Sequence, residues 1–186
     1  MNIALDMMGG DFAPNEAVKG IIKYLQHENS DVTLQLLGVE DAIKDALESH
    51  QVKHPSFQII HCPEVIGYHE HPVKALKGKP QSSISVGFAM LATGKTDALI
   101  SAGNTGAMLV GSMFSLKLSE GVLRPTIATI IPRQAGKTGL LLDVGINSDC
   151  KPENLDQFAV MGTAYAREIL GIDNPGVGLL NIGEEE

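Results

Sequence analysis

Tryptophan is absent from this 186-residue chain, and phenylalanine and tyrosine bring the aromatic share to only 4%. Proteins that track single-stranded nucleic acid stack bases on aromatic rings and follow the backbone with clustered cations. Here 14 basic side chains face 22 acidic ones, a net charge of −8, so no nucleic-acid partner is expected. Cysteine is scarce as well. Cys62 and Cys150 are too few for a disulfide framework, and reduced thiols in a cytoplasmic protein are the simpler expectation. No apolar run approaches the ~18 residues a membrane span needs, although contact with a membrane surface stays compatible. The first residues, MNIALDMMGG, lack the basic and then apolar pattern of a signal peptide. Internal repeats and low-complexity tracts are missing too.

What is present is an ordinary globular composition, 44% hydrophobic and 19% charged. The length is enough to bury a core and suggests one domain over residues 1–186. Short apolar runs at 2–6, 32–38, 57–62 and 97–101 read as strands. Helical spacing at 15–28, 40–50, 82–93, 104–118 and 153–170 separates or follows them. Residues 63–81 carry prolines and little periodicity, and read as a loop with a turn of helix at 73–77. Two β-rich runs, 125–132 and 138–145, flank a short polar loop and read as an antiparallel hairpin. A last strand is expected at 176–183. The alternation predicts an α/β fold: three layers, α/β/α, with a mainly parallel sheet plus the hairpin. Ligands of such sheets bind beyond the carboxyl ends of the strands. Three loops there, after Asp6, after Ile100 and after Asp143, are expected to share one mouth.

The stretch DALISAGNTGAML (97–109) raises the functional question. A buried strand breaks at Ser101 into small and polar residues, and a helix follows. Its start would offer backbone N–H groups to an anion. Familiar nucleotide motifs do not explain it. GKT occurs at Gly94–Thr96 and Gly136–Thr138, but a P-loop needs a glycine where Ala89 and Ile131 stand, so both read as lysines in turns. G-x-G-x-x-G is also missing, which leaves a nicotinamide-dependent dehydrogenase without support. His69 and His71 are two apart, unsuited to one helix face, and no metal site is expected.

Better candidates are Gly9, Gly10 and Asp11 after the first strand, and Ser101, Gly103, Asn104, Thr105 and Gly106 after the fourth. Glycines there let backbone N–H groups approach an anion. Lys74, Lys77 and Lys79 precede Ser82 and Ser83 at a helix start, a second anion-favouring arrangement. Asp143 ends a strand and is followed by Asn147, Cys150 and Lys151. Cys150 beside Lys151 is a candidate nucleophile, but no histidine is evidently paired with it.

Five segments carry a resemblance: NIALDMMGGDFAP, SAGNTGA, RPTIATIIP, LLDVGINSDCKPENLDQFAVMGTAYAR and GVGLLNIGEEE. They are spread from residue 2 to residue 186 and resemble the phosphate acyltransferases of bacterial phospholipid synthesis, the PlsX family. The resemblance implies a fold like that of isocitrate and isopropylmalate dehydrogenases and of phosphotransacetylase. It implies transfer of a fatty acyl group from the thioester of acyl carrier protein to inorganic phosphate. The acyl phosphate would pass to a membrane glycerol-3-phosphate acyltransferase. A cytoplasmic homodimer loosely associated with membrane is implied, and no metal or organic cofactor, because thiolate already leaves well. On this reading Asn104, Thr105 and the backbone of 103–106 hold phosphate, completed by Lys79, Ser82 and Ser83. Asn147 donates to the oxyanion, while Asp6, Asp11 and Asp143 orient donors. Lys151 contributes to binding, and Lys74 and Lys77 dock the acidic carrier. Direct attack by phosphate and a Cys150 acyl-enzyme both stay open. Met7 and Ile146 depart from the family's usual small residues and are expected to narrow the mouth. Family chains are longer, so this one is expected to be an N-terminal part. The alternatives are a phosphotransacetylase-like enzyme using acyl-coenzyme A and a non-catalytic anion-binding fragment.

Overall fold

The computed structural model describes residues 1–27, 32–52, 57–147 and 149–180. These fall into two compact units, Met1–Lys117 and Leu118–Glu186.

The first unit is built around β1 (Asn2–Asp6), where Ile3 and Leu5 face one side and Ala4 the other. β1 pairs in parallel with β2 (Thr33–Gly38), and β2 with β3 (Phe57–His61). On its other edge β1 pairs in parallel with β4 (Ala98–Ile100), so the order is β3-β2-β1-β4. Parallel neighbours need crossovers. These are α1 (Asn15–His27), α2 (Glu40–Ser49), and the pair α3 (Pro72–Gly78) and α4 (Ser83–Ala92). Val18, Ile21, Ile43 and Leu47 of α1 and α2 cover Leu34 and Leu36 on one face. Met90 of α4 packs with Ala4, Leu37 and Cys62 on the other. Adjacent Leu36 and Leu37 are both fully buried, as a sheet covered on both faces requires.

α5 (Thr105–Ser115) follows β4 and packs on α3 and α4. The approach to α4 is close: a Cβ on Gly111 would lie 2.4 Å from the Phe88 ring. α5 ends where Leu116 turns extended, short of the expected residue 118.

In the second unit β5 (Ala128–Pro132) and β6 (Thr138–Leu142) form the expected antiparallel hairpin, Ala128 opposite Leu142. A 3₁₀ turn at Gln134–Gly136 joins them, with Ala135 and Gly136 at positive φ. The second GKT thus lies in the hairpin turn. α6 (Pro152–Glu168) packs on β6, where a Cβ on Gly162 would lie 3.0 Å from Leu142.

Three expectations change. Residues 72–78 are a two-turn helix, not a loop with one turn, because Pro72 at N1 fits a helix start and Ala75 anchors the inner face. The expected strand at 176–183 does not form over 176–180, and 181–183 lie outside the described residues. A strand needs a paired edge, and here Leu179 and Leu180 stand exposed without one. Met7 does not narrow a mouth: its side chain is fully buried among Val18, Ile21 and Leu36.

Leu36→Ala should cost about 2–5 kcal/mol, as a methyl-lined void opens in a covered sheet. Leu123→Ala, at a site 59% exposed, should cost under about 0.5 kcal/mol. Urea denaturation of the two variants checks the contrast.

Candidate functional site

Asp6 ends β1 and is buried. A buried carboxyl group needs hydrogen-bond partners. Its Oδ1 accepts from the Met8 N–H at 2.9 Å, and its Oδ2 from the Ser101 hydroxyl at 2.7 Å. Ser101 Oγ in turn accepts from the Gly103 N–H at 3.0 Å. Gly9 stacks on this loop: a Cβ there would sit 2.6 Å from Gly103 N and 2.7 Å from Asp6 Oδ2. Gly10, at φ +104°, then turns the chain away. The loops after β1 and β4 are therefore one structure. It brings together Gly9, Ser101 and Gly103 of the expected set, with Asp6. Asp11 lies exposed beyond them.

Asn104 is the N-cap of α5, its Oδ1 accepting from the Ala107 N–H at 2.9 Å. Its Nδ2 donates to three carbonyls, Gly67 at 3.0 Å and Tyr68 and Glu70 at 3.1 Å. This side chain is thus a clasp for the 67–70 loop, and buried. Its cap leaves the N–H groups of Thr105 and Gly106 without intrahelical partners. Tyr68 completes the attachment by donating to the Ala102 carbonyl at 2.8 Å. Pro72 closes over Gly106, where a Cβ would lie 2.5 Å from its Cγ.

Lys79 donates to Glu70 Oε1 at 2.5 Å and to the Val65 carbonyl at 2.6 Å. The Glu70 carboxyl is held below its usual range by the Lys79 hydrogen bond and the Gly67 N–H, against some burial. Ser82 and Ser83 are buried. Ser82 caps α4, accepting from the Ser85 N–H and donating to Ser85 Oγ. Lys74 and Lys77 lie exposed on α3.

In the second unit Asp143 organises the turn after β6. Its oxygens accept from the Thr126 hydroxyl, the N–H groups of Ile127, Ile146 and Asn147, and the Asn147 amide. Burial works to raise this carboxyl, but the donors outweigh it and hold Asp143 below the usual range. The Asn147 amide also donates to the Pro125 carbonyl at 3.2 Å, so both its hydrogens point at protein oxygens. Lys151 is exposed at the start of α6, its N–H accepted by buried Asn154. Cys150 is half-buried. Burial, reinforced by the charge of Asp6 and opposed by a Gly38 backbone hydrogen bond, pushes the Cys62 thiol up to about 11, so it stays protonated near neutrality.

Tyr68, Glu64, Glu70 and Thr126 escaped the sequence reading. Glu64 accepts from the Gln81 N–H at 2.7 Å and so tethers the start of the segment 64–72, the strap that Asn104 clasps. The one local signal was the Lys79-to-serine spacing, which pointed to the right neighbourhood.

Together these features define an α/β protein with an anion-favouring strand-to-helix junction. A phosphotransacetylase from Streptococcus pyogenes shares the fold, with a TM-score of 0.68 at 19% identity over 93% of this chain and 55% of that one. EutD phosphotransacetylase from Staphylococcus aureus gives 0.63 at 21% identity over 93% and 54%. The chain belongs to the fatty acid synthesis protein family, whose model matches residues 1–186. It is 45% identical to a phosphate acyltransferase of Dehalococcoides mccartyi, over the whole of this chain and 53% of that protein. The phosphate acyltransferase of Thermoanaerobacterium thermosaccharolyticum is 46% identical, again over the whole chain and 54% of its own length. The chain thus spans about half the length of the curated relatives it matches.

Asn104→Ala should free the strap and uncap α5, costing at least about 2 kcal/mol for the cap and the orphaned carbonyls. Proteolysis within 64–71, absent in the parent, is the measurement. Asp143 predicts a pH effect. Its folded value is depressed, so its stabilisation is complete above its ordinary value and is lost as pH falls through the folded one. The urea-midpoint difference between the parent and Asp143→Asn should shrink below about pH 4. A difference constant from neutrality into that range would contradict the assignment.

Proposed function

We propose that this chain carries the phosphate-handling part of an acyltransferase, which moves a fatty acyl group from an acyl carrier protein thioester to inorganic phosphate. The acyl phosphate would feed phospholipid synthesis. The observation that carries this reading is unbroken similarity over all 186 residues to proteins named phosphate acyltransferase. The loops around Asp6 and Asn104 support it chemically. In the reaction a phosphate oxygen attacks the thioester carbonyl carbon. The C–S bond breaks from the tetrahedral intermediate, and the thiolate takes up the proton that hydrogen phosphate brought. Such a site needs a cradle for a dianion and donors for the oxyanion.

In this reading the N–H groups of Thr105 and Gly106 face the phosphate, with Gly9, Gly10 and Gly103 keeping side chains out of the way. Asp6 and Ser101 act at one remove, by fixing Gly103. Asn104 positions the strap that carries Glu70, and Glu70 steadies Lys79 as the positive charge. Ser82 and Ser83 fix the start of α4. In the second unit, Asn147 is read as an oxyanion donor whose amide would exchange the Pro125 carbonyl for substrate, with Asp143 keeping its turn in shape, and Lys151 as a binding residue. Lys74 and Lys77 meet the acidic carrier. The wider reading is an isocitrate dehydrogenase-like α/β/α domain in a cytoplasmic homodimer. It works at the membrane surface and passes its product to a membrane glycerol-3-phosphate acyltransferase. No described helix is long and apolar enough to cross a membrane.

The test is incubation with hexadecanoyl carrier protein, with and without phosphate, trapping acyl phosphate with hydroxylamine. Phosphate-dependent hydroxamate is the expected result. Product from acyl-coenzyme A alone would favour a phosphotransacetylase-like enzyme, and phosphate binding without product an anion-binding module. Lys79→Ala should raise the KM for phosphate roughly 10-fold or more, the worth of a charge-assisted hydrogen bond. An unchanged phosphate dependence removes Lys79 from the cradle.

A further inference from the structure

A groove of about 350 Å³ runs between α3, α4 and α5. Its volume lies within the range of small-ligand sites, about 300–1,000 Å³. Val73, Leu76, Phe88 and Val110 line it, and Phe114 stands at its outer end. Phe88 is buried, whereas Phe114 is 75% exposed. Gly111 lets the α4 and α5 backbones close on the Phe88 ring, which forms the floor. Lys77 is the one charged lining residue, and Lys74 lies exposed one turn before it. No carboxylate lines the groove.

We infer that this groove holds the aliphatic chain of the acyl thioester, an inference that rests on the acyltransferase reading above. Three observations select that occupant. Apolar side chains make up most of the lining, with Lys77, Ser85 and Ser115 its polar members, which suits a hydrocarbon tail better than a phosphate or a sugar. Lys77 in the lining and Lys74 one turn before it are complementary to an acidic carrier, on a protein whose net charge of −8 would otherwise repel one. The position is also right. Gly106, in the phosphate cradle, and Val110 and Phe114, in the groove, lie on one helix. At 1.5 Å per residue, the groove begins about 6 Å beyond the cradle and extends to about 12 Å. Pro72, packed on Gly106, leads directly into Val73 of the groove wall. A carbonyl held at the α5 N-terminus thus has its chain directed along α5.

The experiment compares hexadecanoyl and butanoyl carrier protein, by binding and by hydroxamate formation. It uses the parent chain, Val110→Phe, which fills the groove, and Phe114→Ala, which opens its exposed end. Circular dichroism and urea midpoints establish that each variant folds. Phe114→Ala guards against a misfolded Val110→Phe, since its ring is exposed. Each buried methylene changes affinity about fourfold, so the parent should prefer the long chain by tenfold or more. Val110→Phe should bring that ratio close to one, and Phe114→Ala should lower it several-fold.

A ratio that collapses while no acyl phosphate forms from either substrate supports the groove and rejects the acyltransferase reading. Acyl phosphate formation with a ratio unchanged in both folded variants supports the reading and overturns the groove. A parent with no chain-length preference also overturns it. So does a concentration-dependent dimer that Val110→Phe abolishes, which would assign the groove to a second copy of the chain.

Discussion

The hydrogen bond between Asp6 and Ser101 joins residues 95 positions apart, and the cradle depends on it. β1 and β4 are neighbours and parallel, so their carboxyl ends open on the same edge of the sheet. That alone leaves two independent loops. Asp6 makes them one, because each of its oxygens has a donor and one of those donors belongs to the other loop. Ser101 passes the constraint on to the Gly103 backbone. Gly9 and Gly103 then sit so close that a methyl group on either meets the Asp6 carboxyl group. The backbone after β4 is held in place by these protein contacts, the kind of preorganisation that the proposed anion site needs.

The strap from Glu64 to Pro72 is the second layer of the same logic. Asn104 serves the helix with its oxygen and the strap with its nitrogen, so the α5 cap and the loop over it form together. Lys79 and Glu70 hold the far side. In the acyltransferase reading an acidic chain has to receive a dianion, and this arrangement helps it do so. The Glu70 carboxyl is matched by Lys79, the positive charge of the proposed cradle, and that pairing holds Lys79 in place. A cation fixed in this way, beside backbone N–H groups, would discriminate by geometry where a mobile one would hold any anion.

Much of this fold was legible because its elements are short and cleanly patterned. NIALD holds a short continuous apolar run, the α2 segment repeats apolar residues every three or four, and proline and glycine mark the breaks. The hairpin was legible from two β-rich runs and a polar turn. The junction at 101–106 was visible as an interrupted apolar stretch. What could not be read was which side chains are already engaged. Asn104 and Asn147 look like free donors in sequence, yet their amides serve carbonyls 34 to 37 and 22 residues away. Tyr68 gave no signal because its partner, Ala102, lies 34 residues on, and Glu70 gave none because its partners Gly67 and Lys79 sit at spacings of three and nine that match no single period. α3 was hidden by the prolines around it, one of which begins it. The run at 176–180 shows the opposite failure: apolar composition promised a strand, but pairing, not composition, makes one.

α5 unites the two chemistries. Its first turn is polar and open, with Asn104 buried and Thr105 at the surface. Its middle is stripped to Gly111 so that it can lie against Phe88. Its last turn presents Met113 and Phe114 to solvent. A helix that only roofed a sheet would carry its apolar residues inward and its polar residues outward along its whole length. This one changes character along its axis instead, from hydrogen-bond donors to bare hydrocarbon. Phosphate and an acyl tail differ in the same way and are joined through a single carbonyl carbon. In the proposed reaction, a rigid helix that holds one at its start and the other along its body would fix where that carbon sits. On that reading the rise per residue of α5 sets the distance between the two partners.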